Sequence, residues 1–204
     1  MFARRRTGKT DYRQRLALLK SRKPRMVVRI GIKNISCQIV NYDGSDKTII
    51  EISSLHLKKY GWLGHGGNMP ASYLTGLLAG FTARKKGINE AVLDIGLKTS
   101  VKSSNVYAAV AGAKDAGLKI PVGDVLPQKE RIEGKHIASY AAMLKKDRKK
   151  YEKNFSEYIK NNLDPEKLPD HFNEVKNKIT NEFKDLPKIE VQQEDEGEEW
   201  EEVK

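Results

Sequence analysis

The chain has 204 residues, 38% hydrophobic and 32% charged, with a formal net charge of +11. That length holds one α/β domain with a sizeable core plus appendages, and so basic a surface is explained most simply by a polyanionic partner, nucleic acid first and an anionic membrane surface second. Cys37 is the only cysteine, which excludes an intrachain disulfide and a cysteine-based zinc cluster, while no run approaches the roughly 18 apolar residues that span a bilayer and no signal peptide is recognisable, so a soluble, unexported protein is expected.

The charge is unevenly placed. Residues 1–33 carry Arg4, Arg5, Arg6, Lys9, Arg13, Arg15, Lys20, Arg22, Lys23, Arg25, Arg29 and Lys33 against Asp11 alone. The far end is the reverse, with Glu190, Glu194, Asp195, Glu196, Glu198, Glu199, Glu201 and Glu202 against Lys204. A basic arm and an acidic tail therefore bracket a more balanced middle, and a tail of this composition reads as a solvated, disordered segment.

After the arm, Met26–Ile30 and Ile35–Val40 read as two strands joined by a turn at Gly31–Asn34, the second with Ile35, Cys37 and Ile39 on one face and Ser36 and Gln38 on the other. Asp43-Gly44 marks a further turn, and Thr48–Ser53 is a third strand with Ile50 and Ile52 facing one way. The three form an antiparallel meander with one wet face. Ala71, Leu74, Leu77, Leu78 and Phe81 make one stripe of an amphipathic helix that follows Pro70 and stops near Gly87. Ala91-Val92-Leu93 reads as a short buried parallel strand. The unit then repeats: Val106, Ala109, Val110 and Ala113 form a helical stripe capped by Ser103, Ser104 or Asn105 and ended by Gly117, and Leu118–Ile120 is the expected last strand. The fold class is α/β, a mixed sheet of meander and β-α-β crossovers with packed helices.

From Glu133 the chain becomes charged helix, with Ile137, Tyr140, Ala141 and Leu144 on one stripe and a basic run over Lys145–Lys153. Asp164-Pro165 and Pro169-Asp170 mark helix boundaries, and Phe172, Val175, Ile179 and Phe183 leave a narrow apolar seam. Such a seam requires a surface to lie on, the domain itself or a partner. The expected organisation is a basic arm over 1–25, an α/β domain over 26–132, a helical extension over 133–187 and an acidic tail over 188–204.

Several chemistries are weighed against these residues. Gly8-Lys9-Thr10 resembles the end of a phosphate-binding loop, but Ala3 stands where that loop needs glycine and no buried strand precedes it. Gly64-His65-Gly66-Gly67 lacks the lysine and hydroxyl of a nucleotide site; a tight turn and a contact with an anion suit it equally. A metal-dependent nuclease would need converging carboxylates, and Asp94 with Glu51 is the only pair to name; an aspartate satisfied by loop amides at a strand end is the simpler reading of Asp94. His56, His65, His136 and His171 have no metal-ligand spacing, and neither a cofactor nor a catalytic residue is indicated. Ser72, Gly76 and Gly80 form a flat helical strip for close approach of another backbone, expected to be the sheet.

Charge and rings point instead to RNA. The arm mixes its arginines with Tyr12, and Lys58, Lys59, Tyr60 and Trp62 fall together, supplying cations for phosphates and flat rings for unpaired bases; packing in a small core is the alternative fate of the two rings.

Thr10–Ile30, Ile35–Tyr42, Leu57–Trp62, Ala71–Gly80, Ala91–Leu97, Asp115–Gly123, His136–Asp147 and Asp164–Ile179 together resemble, in order, the blocks of large-subunit ribosomal protein eighteen in its archaeal form, whose eukaryotic relative is large-subunit ribosomal protein five. The resemblance implies a non-catalytic constituent of the large ribosomal subunit that binds 5S rRNA and anchors it at the central protuberance. Large-subunit rRNA and neighbouring large-subunit ribosomal proteins are the other implied partners, and no membrane is involved. It carries RNA contact over to Arg13, Arg15, Arg22, Lys23, Arg25, Arg29, Lys58, Lys59, Tyr60 and Trp62, with Asn34 and Gln38 beside them; Arg4, Arg5, Arg6, Lys9, Tyr12 and Lys33 complete the expected surface.

Overall fold

Period-two alternation builds the sheet in the computed structural model, which describes residues 3–184. Strand β1 (Arg25–Ile30) pairs antiparallel with β2 (Ile35–Asp43), and the turn between them is closed by the Gly31 amide donating to the Asn34 carbonyl at 2.8 Å. Strand β3 (Ser45–Ser53) returns antiparallel on β2 through Gly44, whose φ of +69° is one that glycine adopts without strain. A bulge between Ile39 and Val40 shifts its register. Strand β4 (Val92–Asp94) lies parallel on the other side of β1, so the order is β3-β2-β1-β4.

The expected strand at Leu118–Ile120 contributes only a single parallel bridge, Glu90 to Lys119. Pro121 follows at once and has no N–H to continue a ladder, so the pairing ends where it begins.

Two helices cover the inner face: α3 (Met69–Lys85) and α4 (Asn105–Asp115), with α1 (Ala3–Arg6), α2 (Tyr12–Lys20) and a 3-10 turn (Ser54–Tyr60) before them. Helix α3 starts as its residues dictate: the Asn68 side chain accepts from the Ala71 amide at 2.9 Å, and Pro70 occupies the first turn. It is not half-exposed, however; it is buried on nearly every side. Ala79 and Ala83 face the core of the sheet, together with Met26, Val28, Cys37 and Ile39. The glycine strip meets α4 and not the sheet: a methyl added to Gly76 would lie 1.9 Å from the Ala109 carbonyl oxygen, and one added to Gly112 2.1 Å from that of Tyr73. The two backbones cross so closely because each helix offers glycine to the other.

The remaining side of α3 meets α5 (Lys129–Glu133) and α9 (Leu168–Glu182), and α6 (Lys135–Leu144), α7 (Arg148–Asn154) and α8 (Ser156–Lys160) run between these two in the chain. The seam of α9 is the anchor. Leu168, Phe172, Val175 and Ile179 are buried with Tyr73, Leu74 and Leu77 of α3, and Phe183 stacks on Phe81 at 5.3 Å. Each such side chain contributes about 1.5–3 kcal/mol by leaving water. The acidic stretch 188–204 and the end of the expected helical extension after Lys184 lie outside the described residues.

Candidate nucleic-acid interface

With Met26, Val28, Cys37 and Ile39 committed to the core, alternation sends Arg25, Val27 and Arg29 of β1 and Ser36, Gln38 and Val40 of β2 to the opposite face of the sheet. The N-terminal arm lies against this outer face. Asp11 starts α2 by accepting from the Arg13 amide at 2.9 Å and the Gln14 amide at 3.2 Å, and Arg15, one turn on, pairs with Asp46 of β3 at 2.8 Å. Between arm and sheet runs a groove of about 550 Å³. Its cations are Arg4 and Lys9 from the arm's start, Arg15, Arg25, Arg29 and Lys98, with Gln38 on its floor.

The groove's charges are ordered by a chain of ion pairs. Asp46 takes Arg15 at 2.8 Å and Arg25 at 2.7 Å; Asp94 takes Arg25 at 2.8 Å and Arg29 at 2.9 Å. Arg25 is only 3% exposed, so its guanidinium is spent on the two carboxylates, which is the condition under which a charge can be buried at all. Arg29 is held by the Asp94 carboxylate and by the Asp94 carbonyl at 2.7 Å, yet about half its side chain stays open. Asp94 also accepts from the Gly96 amide at 2.9 Å, so it is the aspartate satisfied at a strand end, with two arginines added.

A metal site does not assemble from Asp94 and Glu51. Pairing aligns Asp94, Val27, Gln38 and Glu51 in one row across the sheet, which puts the carboxylates three strand spacings apart, roughly 14 Å. Two-metal chemistry needs ions about 4 Å apart. Among the described residues no group of three or more His, Cys, Asp or Glu is placed to hold a metal ion.

The Lys58–Trp62 stretch separates into two kinds of residue. Lys58 and Lys59 project from the 3-10 turn into solvent. Trp62 is 4% exposed and stacks on His171 at 5.2 Å, while its indole N–H donates to the His65 carbonyl at 3.4 Å. Tyr60 packs beside the core shared with the C-terminal helices, and burial followed by the Glu182 carboxylate pushes its phenol well above the usual range. His171 is shifted the other way: burial holds it below the ordinary histidine range, and its neutral Nε2 accepts from the Leu63 amide at 3.1 Å. The glycine loop packs on the β1–β2 turn, where a methyl on Gly67 would lie 2.6 Å from the Ile32 carbonyl and one on Gly66 2.8 Å from that of Lys33.

Residues 1–89 match the family described as ribosomal large subunit proteins 60S L5 and 50S L18. The match covers the first 89 of the 204 residues, so it is the N-terminal part of the chain that is similar to this family. No helix among the described residues is long and apolar enough to cross a membrane.

The stretch matched to the L5e/L18 family contains the arm, the meander and α3, and therefore every wall of the groove except β4 and the loop that follows it. Among the expected surface residues, Arg5, Arg6, Arg13 and Arg22 are exposed on the arm, and Tyr12 is half-buried. Lys23 is exposed and pairs with Glu90 at 2.7 Å, while Lys33 and Asn34 are exposed at the β1–β2 turn. Asp46 and Lys98 are the residues that sequence reasoning missed. Asp46 gives a signal only as an isolated acid in a strand opposite the basic arm; Lys98 gives none, because the parallel pairing of β4 is what sets it beside Arg29.

Proposed function

We propose that the arm-roofed outer face of the sheet is where this chain holds 5S rRNA, and that it anchors that RNA at the central protuberance in contact with large-subunit rRNA and neighbouring large-subunit proteins, as an archaeal-type member of its family. The observation that carries the reading is the groove itself, a concave channel whose cations come from both the arm and the sheet. Arg4, Arg5, Arg6, Lys9, Arg13, Arg15, Arg22, Lys23 and Arg29 meet phosphates, and Tyr12, Gln38 and Asn34 offer a ring and amides to bases or sugars. Arg25 supports its neighbours from beneath. Lys33, Lys58 and Lys59 extend the contact past the hairpin turn, with Tyr60 and Trp62 bracing the turn from behind. The division into arm (1–25), RNA-binding domain (26–132), helical extension (133–187) and acidic tail (188–204) belongs to the same proposal.

Binding of labelled 5S rRNA over a salt series tests it. Each phosphate neutralised contributes about 0.7–0.9 to the log–log slope, so deleting residues 1–25 should flatten the slope by several units and shrink the RNA footprint. An unchanged footprint after that deletion would overturn the role of the arm.

A further inference from the structure

A second basic cleft, of about 340 Å³, lies on the other side of the β1–β2 turn, and it is built from parts of the chain that the family match does not contain as well as parts that it does. Lys33 of the turn, Lys58 of the 3-10 turn and Lys160 at the end of α8 line it. Gly66 and Gly64 form its edge, and Asn34 lies beside Lys33. The ammonium groups of the three lysines have no hydrogen-bonded or ion-paired partner among the described residues, whereas Lys23, Lys47, Lys102, Lys145 and Lys150 each hold a carboxylate within 3.0 Å. One acid, Glu157, reaches the rim, and it faces His65 at 3.6 Å.

Three exposed lysines from three separate elements line this one cleft and make it locally positive. An anion entering the cleft is attracted by all three. We infer that this cleft is a second phosphate-backbone site, in which Lys160 of the C-terminal helical region closes on RNA together with Lys33 and Lys58. The inference rests on the RNA-binding reading of the sheet groove and extends it past residue 89. RNA is favoured over an acidic peptide by continuity: Lys98, a cation of the groove, donates to the Ile30 carbonyl at 3.2 Å, so groove and cleft flank the same turn. A single strand leaving the sheet face past Ile30 meets Lys33 next. The lysines act as point charges and read no base, so the site adds grip and direction and no sequence preference.

Wild-type protein, Lys33→Gln/Lys160→Gln and the control Lys119→Gln, which lines neither cleft, are compared for 5S rRNA binding across a salt series. The double variant should lose about two units of slope, one per lysine, and the control none. A second measurement locates the contact. Cys37 is fully buried and burial pushes its thiol up to about 12, so in Lys160→Cys the new thiol takes a photo-crosslinker selectively, and the crosslink should fall on RNA. A wild-type chain that fails to bind 5S rRNA overturns the reading of the groove. Normal wild-type binding with an unchanged slope in the double variant and no RNA crosslink overturns the cleft alone. A crosslink from position 160 to a ribosomal protein in assembled subunits, with none to RNA, would place protein in the cleft and likewise overturns it.

Discussion

The N-terminal arm and the C-terminal helices are both charged appendages in the sequence, and they dock by opposite means. Helix α2 buries none of its residues and is tied to the sheet by Arg15–Asp46, a pair about one third exposed. Helix α9 buries Leu168, Phe172, Val175 and Ile179 against α3. Ion pairs at such exposure contribute about 0–1 kcal/mol and fade with salt, whereas buried apolar side chains do neither. The difference separates a segment that can be re-aimed when a polyanion arrives from one that is part of the domain's core.

That contrast can be broken in several places. The largest effect should come from Phe172→Ala, which empties a fully buried site and should cost about 3–5 kcal/mol in chemical denaturation, while removing residues 1–20, which stops short of the buried Arg25 of β1, leaves the midpoint nearly unchanged. A comparable loss on deleting the arm would mean that the arm is core as well. Next, Gly76→Ala drives a methyl into the Ala109 carbonyl and should cost about 1–3 kcal/mol, read by the same denaturation. Asp46→Asn should shift global stability by about 1 kcal/mol or less. It should nevertheless expose the arm to trypsin at Arg13 and Arg15, an effect that high salt reproduces in the unaltered protein; equal protection in the variant would remove Asp46 as the latch.

The smallest effect concerns pH. Burial holds His171 below its unfolded value of 6.5, so in the window just below 6.5 the unfolded chain binds more protons than the folded one. Stability is therefore present above pH 6.5 and is lost as pH falls through the depressed value, when a protonated Nε2 can no longer accept from the Leu63 amide. His171→Gln should flatten the stability profile in that window, and a slope that persisted would assign the titration to another group.

The meander was legible because a period of two is local: Ile35, Cys37 and Ile39 face the core as their spacing required, and the turns fall at Gly31–Asn34 and Gly44. The burial of α3 on all sides was not, since its cover comes from α9, about a hundred residues later. The same distance hid the fate of Trp62 and Tyr60. Their neighbours in sequence are lysines, and their neighbours in space are His171 and Glu182. Among the groove residues the arginines were evident from composition, but the carboxylates that orient them were not, because Asp46 and Asp94 reach Arg25 only once β3 and β4 have taken their places around β1 and β2.

If RNA lies on this face as proposed, the row Arg15, Asp46, Arg25, Asp94, Arg29 governs how a strand finds its place there. Three guanidiniums alternate with two carboxylates, leaving a single unit of positive charge on an array whose side chains are already held in position. A strand sliding along the sheet would meet an open arginine at each end of the row and a repulsive carboxylate on either side of the middle one. Such a row works as a pair of notches: it favours positions of the backbone that seat phosphates against Arg15 and Arg29 and penalises those that set one against Asp46 or Asp94. A face that in composition is simply basic would in this way set the phase of the strand it carries.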